Sequence, residues 1–275
     1  MSGEKKSDVI HTRIWLEEPE ADNPFATRAA HCHGYDVYGE MLGNARWVQM
    51  LYLLLRREAP TPAQTELLEA LAVALANPGP RDPSIHAAMC GGIGGSSIAA
   101  CLMAALAVGA GHQNGAREVF HAMHGWETCD TNLDAWRNWV TATTTAAATD
   151  VWPAPEHPPG FDPCGDSIST IARQTLERLA PLSPGRNLPW LLRDRRVLEQ
   201  AVGRPMALSG VAAAALVDLG FSAEQGEALY LLLRLPGAAA HALEQRGHRY
   251  NNFPFFSLEL ENDPAAKADP TESSR

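Results

Sequence analysis

The chain has 275 residues, is 45% hydrophobic and has a formal net charge of −10, so it can bury a large core in one big domain or two modest ones. An acidic chain without a basic stripe is not typical of nucleic-acid-binding proteins, and apolar runs such as LMAALAV at 102–108 are too short to span a bilayer. The polar start MSGEKKSD lacks the apolar core of a signal peptide, so we expect a cytoplasmic protein without nucleic-acid or membrane partners.

Most of the chain has helical rather than strand-like patterning. The segment PAQTELLEALAVAL at 62–75 starts with proline and places four leucines on one face, and the run at 97–108 is rich in strong helix formers. Strand-like alternation is almost absent, which predicts a mostly α-helical protein. Further helices are predicted over 115–123, 133–148, 167–180, 188–202, 206–219, 223–233 and 238–246. The polar ends, 1–12 and 263–275, are predicted to be irregular, with 263–275 a disordered tail.

The cysteines do not indicate a metal site. Their number, five, is odd, and none forms a C-x-x-C pair, so we expect free thiols. The run His31, Cys32 and His33 does not form a ligand set, because adjacent side chains diverge and no second cluster completes a tetrahedron. We therefore expect no metal.

A glycine-containing stretch, VGAGHQNGAREV at 108–119, poses the choice between a phosphate-binding loop and a turn. A dinucleotide loop follows a strand, whereas this stretch follows an Ala- and Leu-rich segment, and its glycine spacing misses G-x-G-x-x-G by one residue. The pattern favours a turn between two helices. His112, in the middle of this stretch, either caps the preceding helix or belongs to a functional site.

Several segments, taken in order, resemble one family. They are IWLEEPEADNPF at 14–25, GYDVYG at 34–39, MLYLLLRREAPT at 50–61, HQNGAREV at 112–119, PGFDP at 159–163 and YLLLRLPGAAAHALEQ at 230–245. The third is similar to an apolar helix followed by a Pro-Thr turn, the fourth to H-G-G-A-x-E-x-V, the fifth to P-G-F-G-H-P, and the last to F-x-x-x-R-x-P-G-x-x-A-H-x-x-E-Q. This order resembles the citrate synthase superfamily in its short form, which includes citryl-CoA lyases and the C-terminal domain of ATP citrate lyase.

The resemblance implies an all-α, citrate synthase-like fold and an obligate homodimer. It implies a large helical domain over 1–111 plus 212–262 and a smaller inserted helical domain over 112–211, closing on a cleft. The activity implied is a carbon–carbon lyase that cleaves a citryl-CoA-like thioester to acetyl-CoA and a 2-oxo acid (oxaloacetate). Coenzyme A enters as the thioester substrate, and the small-molecule partner is a carboxylate or an acyl-CoA.

Three positions carry the chemistry that the resemblance implies. The reaction passes through the enol of acetyl-CoA, so it needs a carboxylate that moves a proton and donors for the oxygens. His112 or Gln113 is aligned with the first family histidine. Asp162 stands after Pro-Gly-Phe, where the family has its second histidine. It could be a donor if protonated, a base, or a turn residue that bonds to the backbone. Met206 replaces the family aspartate, which leaves open different aldol or decarboxylation chemistry, or a non-catalytic carboxylate-binding dimer.

Arginines are implied to hold the substrate carboxylates, since a guanidinium binds a carboxylate with two hydrogen bonds. Arg234 lies in the best-matched motif, Arg173 follows the Pro-Gly-Phe segment, and Arg249 is placed to serve the partner subunit. His241 matches the A-H-x-x-E-Q motif and is expected to support the fold and the wall of the site. The glycines at 91–95, Gly92 and Gly94 among them, either let coenzyme A approach the backbone or let helices pack closely.

Overall fold

The structure is a computed structural model, and it describes residues 10–145, 157–248, 250–253, 256–258 and 260–261. Within these residues the fold consists of ten α-helices and one small antiparallel sheet. No helix in this part of the chain is long and apolar enough to cross a membrane. The all-α prediction is confirmed for the body of the chain.

The N-terminal sheet was not predicted. It is formed by β1 (Trp15–Pro19), β2 (Thr27–Cys32) and β3 (Tyr35–Asp36), in that order, and a π-helix, Val37–Met41, follows it. The β2–β3 turn uses two residues with positive φ, His33 at 48° and Gly34 at 89°. The strands bury few side chains, so their sequence carries little of the alternation that reveals a strand.

The predicted helices are present. Where the structure describes their ends, these ends differ by a few residues from the predicted ones. The last two predicted helices are one, because α10 continues through Pro236. Pro236 lacks an amide hydrogen, so it cannot donate a hydrogen bond within the helix. The amide of Gly237 instead donates to the carbonyl of Ala76 at the end of α2 (Pro62–Leu75), at 2.8 Å. This contact with another helix compensates for the interrupted hydrogen bonds within α10. The helices are α1 (Trp47–Arg56), α2 (Pro62–Leu75), α3 (Pro83–Ile93), α4 (Ile98–Gly109), α5 (Ala116–Cys129), α6 (Leu133–Thr145), α7 (Thr170–Leu179), α8 (Asn187–Val202), α9 (Leu208–Asp218) and α10 (Ala223–Gln245).

Two clusters of buried side chains form the core. The larger joins α1, α2, α5 to α9 and the first half of α10, and the smaller joins α3, α4 and the second half of α10. Helix α9 lies in the middle of the larger cluster, with Ala212, Ala213, Ala214 and Ala215 fully buried on every side. Helix α10 thus connects the two clusters. The division into domains at 111/112 and 211/212 stays a prediction.

The glycine-containing stretch is a turn between helices, as its composition favours. Helix α4 ends at Gly109, helix α5 begins at Ala116, and Asn114 adopts φ 57° within the turn. Gly115 is fixed by close packing, because a Cβ there would clash with the backbone of Gly109 and Gly111. The turn therefore connects the two helices in a compact conformation that leaves His112 and Gln113 at the surface.

Candidate functional site

A buried carboxylate, Glu118 on α5, ties together the three segments that carry the predicted catalytic positions. Its oxygens accept hydrogen bonds from the amide of Asn114 at 2.6 Å, the amide of Gly160 at 3.1 Å and the hydroxyl of Ser209 at 2.7 Å. Asn114 follows His112 and Gln113, Gly160 precedes Asp162, and Ser209 starts α9 just after Met206. One side chain therefore fixes the relative position of all three segments.

The electrostatics of Glu118 follow from these donors. Burial raises the pKa of this carboxyl, but the nearby His157 and the hydrogen bonds from Ser209 and Asn114 lower it, and the net pKa lies below the usual 4.5. Nε2 of His157 lies 3.7 Å from Oε2 of Glu118. Nδ1 of this buried histidine has no hydrogen-bond partner among the described residues. Glu118 is therefore ionised at neutral pH inside the core.

A second buried network surrounds Arg234 on α10. Its guanidinium donates to Tyr230 Oη at 2.8 Å and to Asp82 Oδ2 at 2.5 Å, and it lies 3.5 Å from Ser84 Oγ. The Arg234 side chain is 8% exposed and that of Asp82 is 14% exposed. Asp82 is also the N-cap of α3, where it accepts from the amide and hydroxyl of Ser84. Arg234 is thus paired inside the protein.

Tyr230 connects the two networks. Burial is the main cause that raises the pKa of its hydroxyl, Arg234 lowers it, and the negative charges of Glu118 and Asp82 raise it further. Both carboxylates therefore act electrostatically on the same phenol, and its hydrogen bond is with Arg234. The two networks, together with Tyr230, are called the seam below.

The Pro-Gly-Phe turn places Asp162 next to the strand-like segment of Met206. Phe161 pairs with Met206 in an antiparallel bridge, the amide of Asp162 donates to Pro205 O at 2.8 Å, and that of Ala207 donates to Gly160 O at 3.0 Å. Gly160 has φ 86°, and a Cβ there would lie 2.9 Å from the Cα of Gly210. Only glycine fits this backbone contact.

Asp162 and Met206 differ in their accessibility. Oδ1 of Asp162 accepts from the amides of Cys164 at 2.9 Å and Gly165 at 3.2 Å, and the residue is half-buried. The Met206 side chain is buried in the larger cluster, and its amide donates to Glu199 Oε1 at 2.9 Å. A carboxylate is thus present on the segment next to Met206.

An open cavity of about 320 Å³ adjoins this bridge. Arg204 on its wall donates to Pro163 O at 2.8 Å, and Arg196 has no ion-pair partner among the described residues. Two guanidinium groups on the wall of one pocket are suited to anions such as phosphate. The cavity is lined by Gly165, Asp166, Arg196, Glu199, Gln200, Gly203, Arg204 and Pro205.

His112 and Gln113 are exposed on the turn before α5, and one of them stands close to a second histidine. The ring of His112 stacks on that of His121 with 5.7 Å between centroids. Burial is the main cause that lowers the pKa of His121 to about 4, helped by the charges of Arg117, His112 and His124. His121 is therefore neutral at physiological pH, and it supports the His112 ring without adding a charge beside it.

The other predicted site residues lie apart from this seam. Arg173 on α7 is about half-exposed and pairs with Glu177 one turn later at 2.8 Å. His241 lies with Nε2 3.2 Å from Oδ1 of Asn77, at the end of α2, which fits its expected role in supporting the fold. Arg249 lies outside the described residues. The structure therefore brings Asp162, Met206 and the His112 turn together around Glu118, and it leaves Arg173 on a different helix surface.

Of the two readings for the glycines at 91–95, the structure favours close packing at Gly92. A Cβ on Gly92 would clash with the carbonyl of Ala242 and lie 3.1 Å from its Cα, so α3 and α10 touch backbone to backbone there. Gly94 is the C-cap of α3 and faces only the carbonyls of its own helix end. Their binding of coenzyme A stays a prediction, which the packing at Gly92 does not favour.

These residues of the seam were not singled out in the sequence: Asp82, Ser84, Glu118, His157, Ser209 and Tyr230. Glu118 was within reach of sequence reasoning, because it occupies the Glu position of the H-G-G-A-x-E-x-V segment. Asp82 gives no such signal, since its partner Arg234 lies 152 positions away in the chain. Within the described residues no group of three or more His, Cys, Asp or Glu side chains is arranged to hold a metal ion.

Comparisons with known proteins give structural neighbours only. A scan against protein-family models and a search of curated proteins find no match. Citryl-CoA lyase from Hydrogenobacter thermophilus superposes with a TM-score of 0.66 at 17% identity, over 94% of this chain and 99% of that one. ATP citrate lyase from Methanothrix soehngenii, in complex with citrate and coenzyme A, gives 0.69 at 15% identity, over 94% of this chain but 43% of that one.

A third neighbour extends the comparison to synthases. Citrate synthase from Thermoplasma acidophilum, in a ternary complex with carboxymethyl coenzyme A and oxaloacetate, superposes with a TM-score of 0.53 at 16% identity, over 81% of this chain and 60% of that one. The motif order, the helical architecture and these superpositions agree. The chain has the fold of the citrate synthase superfamily.

Proposed function

We propose that the chain is an enzyme of citrate synthase type, a carbon–carbon lyase that cleaves a citryl-CoA-like thioester to acetyl-CoA and a 2-oxo acid (oxaloacetate from citryl-CoA itself). The observation that carries this proposal is the environment of Asp162. One carboxylate oxygen is held by two backbone amides, and the other has no hydrogen-bond partner among the described residues. A carboxylate held in this way, on the segment whose amide bonds to Pro205 of the cavity wall, is suited to act as a general base.

The chemistry is a retro-aldol step. The free oxygen of Asp162 takes the proton of the substrate hydroxyl, the carbon–carbon bond breaks, and its electron pair moves onto the acetyl group as a thioester enolate. The hydroxyl carbon becomes the carbonyl of the 2-oxo acid. Asp162 then returns the proton to the acetyl carbon, which gives acetyl-CoA and restores the carboxylate. This scheme uses the coenzyme A thioester as a substrate and no metal.

The surrounding residues have supporting roles in the scheme. His112 or Gln113, at the exposed turn, donates to the enolate oxygen, because this oxygen gains negative charge as the bond breaks. Arg196 and Arg204 on the cavity wall contact the phosphates of the coenzyme. Glu118 touches none of the reacting atoms and acts as a positioning residue, since it holds the three segments in register.

A second candidate function follows from Met206. This side chain stands where the resemblance implies the catalytic aspartate, and it is 1% exposed. A fold that has lost this base is open to another aldol, retro-aldol or decarboxylation reaction on a carboxylate substrate, or to carboxylate binding without catalysis. The test below separates these candidates from the lyase.

The test is cleavage of citryl-CoA at saturating concentration, followed by detection of acetyl-CoA and oxaloacetate. We expect cleavage by the wild type and a loss of roughly a hundredfold or more in kcat for Asp162→Asn, the size typical of general base catalysis. Asp166→Asn is the matched control, because Asp166 is an exposed acid on the wall of the same cavity. No cleavage by the wild type, or equal rates for Asp162→Asn and the wild type, would contradict the proposal.

The proposal also includes the oligomeric state of the enzyme and its location in the cell. We propose that it works as a homodimer in the cytoplasm. The dimer is supported by helix α4, whose sequence IAACLMAALAVG carries no charge and buries only three residues within this chain. Arg249, as implied by the resemblance, would contact the ligand of the partner subunit.

A further inference from the structure

The anion position of Arg234 is already filled by a side chain of the same protein. Nη2 of Arg234, the Ser84 hydroxyl and the Ser84 amide at the N-terminus of α3 all donate to the carboxylate of Asp82, while Nη1 of Arg234 donates to Tyr230 Oη. A buried guanidinium and a helix N-terminus each favour a negative charge. These groups would hold any carboxylate of suitable size equally well.

The space around Arg234 leaves no second anion position. The cavity that it lines has a volume of about 10 Å³, the size of roughly one water molecule, and its other walls are mostly apolar. A carboxylate of a ligand therefore has to replace the carboxylate of Asp82. If both were present, one negative charge would be buried without compensation, which is strongly unfavourable.

We propose that Asp82 is a specificity-determining residue that competes with ligand carboxylates for Arg234. Where the resemblance implies that a carboxylate of citryl-CoA meets this arginine, the wild-type protein then favours a thioester substrate with an uncharged group. The proposal rests on the proposed function for the class of substrate, a 3-hydroxyacyl thioester. The competition itself is independent of catalysis, because Asp162 and not Asp82 acts on the reacting bond.

The test measures binding of acetate and malonate in the absence of coenzyme A, by calorimetry and by thermal shift against sodium chloride of equal ionic strength. We use Asp82→Ser, because serine keeps the N-cap of α3 while it removes the negative charge and leaves room for an anion. We expect this variant to bind acetate or malonate at least about tenfold more tightly than the wild type. Its melting temperature, lowered by the uncompensated arginine, should recover when the anion is added.

Two controls distinguish competition from a purely structural ion pair. In the double variant Asp82→Ser, Arg234→Met the anion should neither bind nor restore the melting temperature. Asp218→Ser removes another capping aspartate, which binds Ser183 and the amides of Asn187 and Leu188 and has no arginine partner among the described residues. This variant should lose stability without recovery by malonate.

Three results would overturn the proposal: malonate binding by the wild type as tight as by Asp82→Ser, no recovery of Asp82→Ser by either anion, or recovery that persists without Arg234. None of these outcomes depends on whether citryl-CoA is cleaved. Failure of the lyase assay with success of anion recovery would therefore reject the reaction and keep the role of Asp82, and the reverse combination would do the opposite.

Discussion

Glu118 stabilises the site through hydrogen bonds to its charge rather than through contact with a ligand. Three donors from three segments share its two oxygens, and the side chain is 2% exposed. Hydrogen bonds to a buried charged group contribute more than neutral ones, and removal of the acceptor leaves the donors unsatisfied. A change at this residue is therefore expected to move all three segments.

We predict that Glu118→Gln lowers the free energy of unfolding by about 2–3 kcal/mol, because the amide group accepts on one side only. Glu227→Gln is the control, since Glu227 pairs with Arg117 in a partly exposed ion pair that contributes at most ~1 kcal/mol. Urea unfolding monitored by tryptophan fluorescence measures both. An equal, small effect of the two substitutions would contradict the assigned role of Glu118.

The pH dependence of stability supplies a second readout of the same residue. The folded-state pKa of Glu118 lies below 4.5, so its contribution is complete above that pH and is lost as the pH falls below it toward the folded pKa. Wild-type stability should therefore fall more steeply below pH 4.5 than that of Glu118→Gln. Asp82, whose pKa is also lowered, accounts for part of the slope that remains in the variant.

At the scale of elements, glycines determine how closely α10 approaches its neighbours, in addition to the apolar side chains that it buries in both core clusters. Its second half contacts α3 where Gly92 meets Ala242, and its middle meets the end of α2 where Gly237 bonds Ala76. A proline within the helix is tolerated because the backbone groups near it bond to a neighbouring element. Close packing of backbones thus determines where α3 and α10 lie, and with them Asp82 and Arg234.

We predict that Gly92→Ala destabilises the protein by about 1–3 kcal/mol, the usual cost of overpacking, because the clash is with backbone atoms that cannot rotate away. Gly94→Ala should cost less than about 1 kcal/mol, since its Cβ would lie 3.3 Å from Cys90 O with φ already negative at −74°. Thermal unfolding of both variants measures this contrast. Normal stability of Gly92→Ala together with weaker coenzyme A binding would instead indicate that Gly92 lets coenzyme A approach the backbone.

At the scale of the whole molecule, helix α4 has an exposed apolar face next to the smaller core cluster. Helix α4 buries Cys101, Ala105 and Gly109 against α3 and α10, whereas Met103 is 64% exposed and Val108 is 45% exposed. An uncharged helix with a large exposed apolar face is typical of an interface between subunits. The second copy of this chain is the partner that the proposed function requires.

We predict a dimer at micromolar concentration, measured by light scattering, and weakening of the dimer by at least about a hundredfold in Met103→Asp, equal to ~2.7 kcal/mol. A charge at the centre of an apolar interface is desolvated without a partner, while in the separate chain it is exposed and does not disturb folding. Ile171→Asp on α7 is the control, because Ile171 is equally exposed at 67%. A monomeric wild type would contradict the dimer, and dimeric Met103→Asp would contradict the assigned face.

The sequence by itself determined the helical class, the position of most helices and the order of the motif segments, because helical periodicity, caps and glycine turns are local properties. It missed the N-terminal sheet, whose strands such as Trp15–Pro19 bury too little to alternate, and it divided α10 at Pro236 because it did not reveal the contact of Gly237 with Ala76. The motif order also identified the fold, since the segments retain their spacing along the chain.

Only the tertiary structure determined which partners the buried charged groups bind. Asp82 and Arg234 lie 152 positions apart, and Glu118 bonds Ser209 across 91 positions, so no spacing in the sequence pairs them. The free energy of a buried charge depends on the donors and charges within a few ångströms of it, and packing of distant helices sets those neighbours. For this reason the sequence indicated an arginine suited to a carboxylate, and the structure showed that the carboxylate in contact with it is Asp82.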